Sequence, residues 1–332
     1  MKRTKSVKDF DFYIDEYMYN CQSRKHRKKT LQVYEQSLRL FERWCLDEMG
    51  ITSPEEVREA TFRRYICDLQ ERGKYTFYSV EDSAIGYTPN KRRDYAHPLS
   101  VTSINNYIRN LKAFFTWFAK YASMPNPITE VKELKNERKA REYLEDEEIE
   151  KLMKSFDRGL YKEHRDSMII MLLMDTGMRL GECLKIKIVD VDMVERTICL
   201  PAENTKGRQT RFVFFSVTTA RNLQRWIRFK DRYSCGAYLF SGKSGLPFEV
   251  HSFESNFKRY LVRAGISKDF TPHALRNNFA KRCLMNGMDI YTLSRILGHS
   301  SVTVTEKAYL DLTDQDLRHR YQNFSPIENM RK

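Results

Sequence analysis

The sequence predicts a mainly α-helical chain of two domains, with a small β-sheet in the second. Three observations carry this. Apolar residues recur at helical spacing through most of the chain. Two short β-like runs occur only past its midpoint. One stretch rich in proline and charge divides it. At 332 residues, each part has enough chain to bury its own core.

The first domain is expected over residues 1–125. A basic run, Arg24–Lys29, leads into a helix in which Leu31, Tyr34, Leu38, Phe41 and Cys45 share a face. Ser53, Pro54 and Glu56 stand as N-cap, N1 proline and N3 glutamate, the signature of a capped helical start. A short helix follows Thr61 and ends near Gly73. A longer one runs from Thr102 to Tyr121, with Ile104, Ile108, Leu111, Phe115 and Phe118 on one side. Residues 74–100 form an insert unusually long for a connection, carrying Gly86, Pro89 and Pro98. A disordered insert, a small hairpin and a loop that touches a polyanion are all open readings of it.

Residues 126–142 read as an interdomain linker, because Pro125 and Pro127 interrupt helix and the charges that follow keep the segment solvated. The second domain, 143–332, opens with Glu145–Glu148 at the positive end of a helix. Met168–Met174 belongs to a helix that Gly177 stops. Two strand-like runs, 196–201 and 208–215, are joined by a segment whose Asn204, Thr205 and Gly207 suggest a hairpin turn with Lys206 at its tip. Helices are expected over 252–264, 273–286 and 291–297. No internal repeat or low-complexity tract occurs.

Bulk properties narrow the partners. A formal charge of +14 favours a polyanion, since neutralising phosphates releases counterions. Seven singly placed cysteines with no C-x-x-C pair read as reduced thiols. The N-terminus lacks the apolar core of a signal peptide, and the apolar stretch 168–174 is far too short for a membrane span. A soluble protein of the cytoplasm is expected.

The chemistry is carried by dispersed polar residues of the second domain. TGMRLGE (176–182) ends one helix in glycine and places Arg179 near the next N-terminus, where a phosphate would meet a guanidinium and free backbone N–H groups. Glu182, three residues on, can orient Arg179, although alone the pair reads as an ordinary surface ion pair. TPHALR (271–276) puts His273 and Arg276 on one face of a helix start. In isolation that spacing is common. LGHSS (297–301) closes a helix at Gly298 and is followed by Tyr309, by default a half-buried aromatic. Arginine forks clamp phosphates, lysine and histidine move protons, and a phenol can be a nucleophile. No carboxylate cluster or metal-ligand spacing accompanies them, so no metal and no cofactor is expected.

Taken together, the ordered set Arg179, Lys206, His273-x-x-Arg276, Gly298-His299 and Tyr309 resembles the tyrosine recombinase (phage integrase) family over about residues 145–315. The resemblance implies a two-domain DNA clamp, a helical core-binding domain followed by a catalytic domain. It implies that Arg179 and Arg276 grip the scissile phosphate, Tyr309 attacks to form a 3′-phosphotyrosyl link, and Lys206 protonates the leaving 5′ oxygen. His273 would act as base or relay, His299 would hydrogen-bond the phosphate, and Glu182 would orient Arg179. Tyr309 follows His299 by ten positions. The common family spacing is a residue shorter, which bears on the pose of the helix carrying Tyr309. Arg24, Arg27, Lys28, Lys29, Arg92, Arg93 and Lys112 are candidate contacts to DNA phosphates. The implied partners are double-stranded DNA with a specific recombination site and further protomers in a tetrameric synapse through a Holliday junction, the C-terminal tail exchanged between protomers. Little sequence precedes the first helix, so an arm-binding domain of the lambda type is not expected. An integrase or transposase of a mobile element in a bacterial cytoplasm is the leading reading. A Xer-like resolvase of replicon dimers, a type IB topoisomerase and a catalytically silent DNA-binding regulator are the alternatives.

Overall fold

The structure, a computed structural model, describes residues 8–77, 92–136, 142–205, 207–233, 236–242, 244–299 and 301–309, with positions 314, 316–318 and 321. The chain divides into two compact units, Met1–Arg138 and Lys139–Lys332.

The first unit contains α1 (Phe10–Ser23), α2 (Lys28–Met49), α3 (Glu59–Glu71) and α4 (Val101–Tyr121). Helix α1 escaped the sequence reading although Phe10, Tyr13, Ile14, Tyr17, Met18 and Cys21 recur at helical spacing, with Asp11, Asp15 and Glu16 off the buried face. Asp9 caps it, accepting from the Phe12 N–H at 3.0 Å. Ser53 and Glu56 do form a capping box, but it opens a single 3-10 turn, Pro54–Glu56, rather than an α-helix. Rings dominate the core: Phe41 meets Tyr65 edge-on at 4.9 Å, and Trp44, Phe62, Phe114, Phe115 and Phe118 are buried around them. The ends of the long insert pair with each other, with the Lys74 N–H on the His97 carbonyl at 2.7 Å and the Ala96 N–H on that of Lys74 at 2.9 Å. Residues 78–91 lie outside the described residues.

The segment expected as a solvated linker, 126–142, begins as core. Ile128 is 0% and Val131 5% exposed within the first unit's apolar cluster. Asn105 on α4 holds both backbone groups of Leu134, donating to its carbonyl at 3.0 Å and accepting from its N–H at 2.8 Å. Two apolar residues set among charges carry no periodicity, so nothing local announces this packing.

The second unit runs α5 (Asp146–Lys154), α6 (Tyr161–Thr176), α7 (Leu180–Cys183), β1 (Val191–Asp192), β2 (Thr197–Leu200), β3 (Arg211–Phe214), α8 (Val217–Lys230), α9 (Val250–Arg263), α10 (Pro272–Met285), α11 (Ile290–Leu297) and α12 (Thr303–Tyr309). Helix α6 is central. Met168, Ile169, Ile170, Leu172 and Leu173 are all buried, which explains why its sequence is apolar without a face, and α8 and α10 pack on it. The sheet is antiparallel in the order β1-β2-β3, with Ile198 opposite Val213 and Leu200 opposite Arg211. That register leaves residues 201–210 as the β2–β3 connection, longer than a tight hairpin turn and built on a 3-10 turn, Ala202–Asn204. Among the described residues no helix is long and apolar enough to cross a membrane.

Candidate active site

Two glycine turns frame the site. Gly177 ends α6 and Gly298 ends α11, both left-handed, with φ of 63° and 64°. The carbonyls at these turns are captured by one side chain. Arg276, on the first turns of α10, donates to Gly177 O and Leu297 O at 2.7 Å each and is 4% exposed. Pro272 at the start of α10 fixes the backbone that aims it. Burial, then the charge of Arg179, pushes the Arg276 guanidinium down to about 9, which leaves it charged at neutral pH.

Arg179 is the N-cap of α7. Its N–H donates to Glu182 Oε2 and its Nη1 to Glu182 Oε1, both at 2.9 Å. Glu182 is buried and receives a second guanidinium, with Nη1 and Nη2 of Arg211 at 3.1 and 2.6 Å. Burial opposes its ionised form. The Arg211 hydrogen bonds, the Arg179 N–H and the Arg211 charge outweigh this and hold the carboxyl below its ordinary range.

His299 follows Gly298 and is half-buried, its Nδ1 2.7 Å from the Thr305 hydroxyl. Burial first, then the charges of Arg276, Arg179 and Arg211 and the neighbouring His273, push its imidazole down to about 4. The ring is therefore neutral at pH 7. Which of Nδ1 and the Thr305 hydroxyl donates depends on the tautomer; with Nδ1 as the acceptor, the proton sits on Nε2, which then serves as a donor. His273 is exposed on the first turn of α10.

Arg179, Arg211, Gly298 and His299 line one cavity of about 1100 Å³. Thr205 and Gly207 line it as well. Lys206 between them lies outside the described residues. Tyr309 closes α12, and its side chain is likewise outside them. Thus Arg179, Glu182, Arg276 and His299 come together, with His273 near enough to act on the His299 charge. Three guanidiniums against one carboxylate leave a net positive field, suited to a tetrahedral oxyanion. Among the described residues no group of three or more His, Cys, Asp or Glu could hold a metal ion.

Sequence reasoning missed Arg211. The available signal was strand alternation: Arg211 shares its face with buried Val213, whereas Phe212 and Phe214 are exposed. An arginine at an inward strand position requires a partner.

The candidate phosphate contacts of the first unit are dispersed. Arg24 caps the end of α1, Arg27 the start of α2, and Lys28 and Lys29 open α2; all four are exposed. Arg92 pairs with Asp94 at 3.3 Å and lies over the Tyr75 ring at 4.3 Å. Arg93 is exposed, and Lys112 on α4 is half-buried near Glu133.

The sequence matches the phage integrase family over residues 142–316. It is 29% identical over 237 residues to the tyrosine recombinase XerC of Staphylococcus epidermidis, covering 70% of this chain and 78% of that one. The fold is similar to that of the Tn1549 transposon integrase in complex with transposon right end DNA, with TM-score 0.68 at 19% identity over 94% of this chain and 98% of that one. It is also similar to that of a lambda integrase tetramer bound to a Holliday junction, with TM-score 0.66 at 15% identity over 92% and 78% of the two chains.

Proposed function

The chain belongs to the phage integrase family and is a tyrosine recombinase, an enzyme of site-specific DNA strand exchange; from that premise we propose how its own residues carry out the reaction. Arg179 and Arg276 bind the non-bridging oxygens of the scissile phosphate and stabilise the charge of the pentavalent transition state. Tyr309 Oη attacks phosphorus in line, a P–O bond to the tyrosine forms, and the bond to the 5′ oxygen breaks. His273 receives the phenolic proton and Lys206 supplies one to the leaving oxygen. His299, neutral, donates from Nε2 to a phosphate oxygen. The 3′-phosphotyrosyl ester keeps the bond energy, so a 5′-hydroxyl of a partner duplex reverses the step onto a new strand without a high-energy cofactor. The observation that carries this reading is the convergence of Arg179, Arg276 and His299 from three distant segments: Arg276 bridges the turns that end α6 and α11, and the charges of Arg276 and Arg179 act on the His299 ring.

The substrate is double-stranded DNA with a specific site, in the cytoplasm of a bacterium, and the working unit is a tetramer joined through a Holliday junction. The first unit acts as the core-binding domain. Arg27, Lys28 and Lys29 support this, because three cations at the positive end of α2 are locally unfavourable until a phosphate joins them. Arg24, Arg92, Arg93 and Lys112 are further phosphate contacts, Lys112 the weakest because Glu133 stands beside it. Mobile-element integration or transposition is the biological role. Similarity to XerC favours a second reading, resolution of replicon dimers by the same chemistry.

A nicked duplex from the flanks of the native locus tests the proposal. In EDTA, wild type forms an SDS-resistant protein–DNA adduct and Tyr309→Phe does not. Binding of a confirmed cognate site without adduct would leave a DNA-binding protein and sink the catalytic roles.

A further inference from the structure

Glu182 is held from two sides, and the second side has no role in the scheme above. Arg211 gives it both Nη groups, at 3.1 and 2.6 Å, from the first residue of β3. The Arg211 side chain is only 13% exposed, and its buried Nε has no hydrogen-bond partner. An apolar residue there would extend the face that Val213 begins, so burying a guanidinium in that place is unfavourable unless the charge is used. The third contact is steric. A Cβ on Gly298 would lie 2.7 Å from Arg211 Cδ and 2.8 Å from Nε, so the turn that presents His299 is seated directly on this side chain.

We propose that Arg211 is a positioning residue of the recombination reaction: it fixes Glu182 and thereby the Arg179 fork, and it locks the start of β3 to the Gly298–His299 turn. The role rests on the recombinase reading. The physical reason lies in charge balance. With Arg211 present, the Glu182 carboxylate is already neutralised, and Arg179 keeps its positive field for a phosphate. Without it, Glu182 has Arg179 alone, pairs with it fully and turns it away from the cavity. Lysine is no substitute, since it offers a point charge where Glu182 receives a fork. Arg211 acts through Glu182 and Gly298 and needs no contact with DNA.

The test uses the full chain and a nicked duplex from the flanks of the native locus. Single-turnover cleavage at saturating DNA and DNA affinity are measured separately for wild type, R211A, R211K, E182Q and the double variant R211A/E182Q. The expected result for R211A is a cleavage rate lower on the order of 10²-fold, the loss that follows from roughly 1 Å of misplacement, with affinity unchanged. R211K falls between R211A and wild type. The double variant is no slower than the slower single variant, because both changes cut one link. Where R211A does not fold, R211K decides, an intermediate rate supporting the role and a wild-type rate overturning it. A wild-type rate in R211A, a parallel loss of rate and affinity, or a double variant that multiplies the two single losses overturns the role of Arg211 alone. No adduct from wild type overturns the recombinase reading and this role together.

Discussion

Replacing Gly177 by alanine should damage the second unit far more than the same change at Gly265, although both glycines have positive φ. At Gly265, φ is 72° and an added Cβ meets no heavy atom within 4 Å. Only backbone strain is incurred there, about 1–2 kcal/mol. At Gly177, φ is 63° and the Cβ would lie 2.3 Å from Phe279 Cδ1 and 2.9 Å from Leu297 Cδ2. Neither neighbour can yield cheaply, because Phe279 lies on α10 and Leu297 ends α11, whose carbonyl Arg276 holds. Overpacking of this kind adds about 1–3 kcal/mol, for a total of about 2–5 kcal/mol. For a unit of this size the unfolding midpoint should fall by roughly 3–6 °C in G265A and roughly 6–15 °C in G177A. Calorimetry of the full chain reads both. Cleavage of the nicked duplex should slow in G177A alone, since Gly177 O is an acceptor of the Arg276 fork. In a Phe279→Ala background, where space opens, the excess cost of G177A should shrink. Equal midpoints for the two variants, or an excess that persists without the Phe279 ring, would refute the steric argument.

Three further outcomes follow from the same geometry. Glu182 has its carboxyl lowered on folding, so it stabilises the fold fully above its unfolded value of about 4.5 and that contribution is lost as the pH falls through its folded value. The stability gap between wild type and E182Q, read by urea unfolding, should be wide at pH 7 and close at acid pH; a gap independent of pH counts against the buried carboxylate. His299 should titrate near 4 by NMR in the DNA-free protein, and higher once a phosphate anion binds beside it. The sign is opposite to that of a salt-bridged histidine, since its neutral form is favoured in the fold and stability falls as pH drops from 6.5 toward 4; an unshifted midpoint would contradict the cation cluster. Asn105→Ala leaves the Leu134 N–H and carbonyl without their partner, at a cost of about 2 kcal/mol, and limited proteolysis within 126–136 should accelerate.

By itself, the sequence determined most of the helices and the chemistry. The faces of α2, α4, α9 and α11 show as periodicity, which burial imposes on any helix with one dry side. Arg179, His273, Arg276 and His299 were legible because each sits in a short motif whose glycine or proline marks a helix end. Tertiary structure alone decided what those motifs do to each other. Arg276 reaches carbonyls at Gly177 and Leu297, far away along the chain, and Arg211 meets Glu182 across 29 positions. Such pairings leave no local trace, because a buried guanidinium is specified by where its partner arrives and not by its neighbours in sequence. The same holds for Ile128 and Val131, two apolar side chains in a charged segment whose destination only the packed first unit reveals. Periodicity is a property of one element against solvent, whereas a site is a property of several elements against one another.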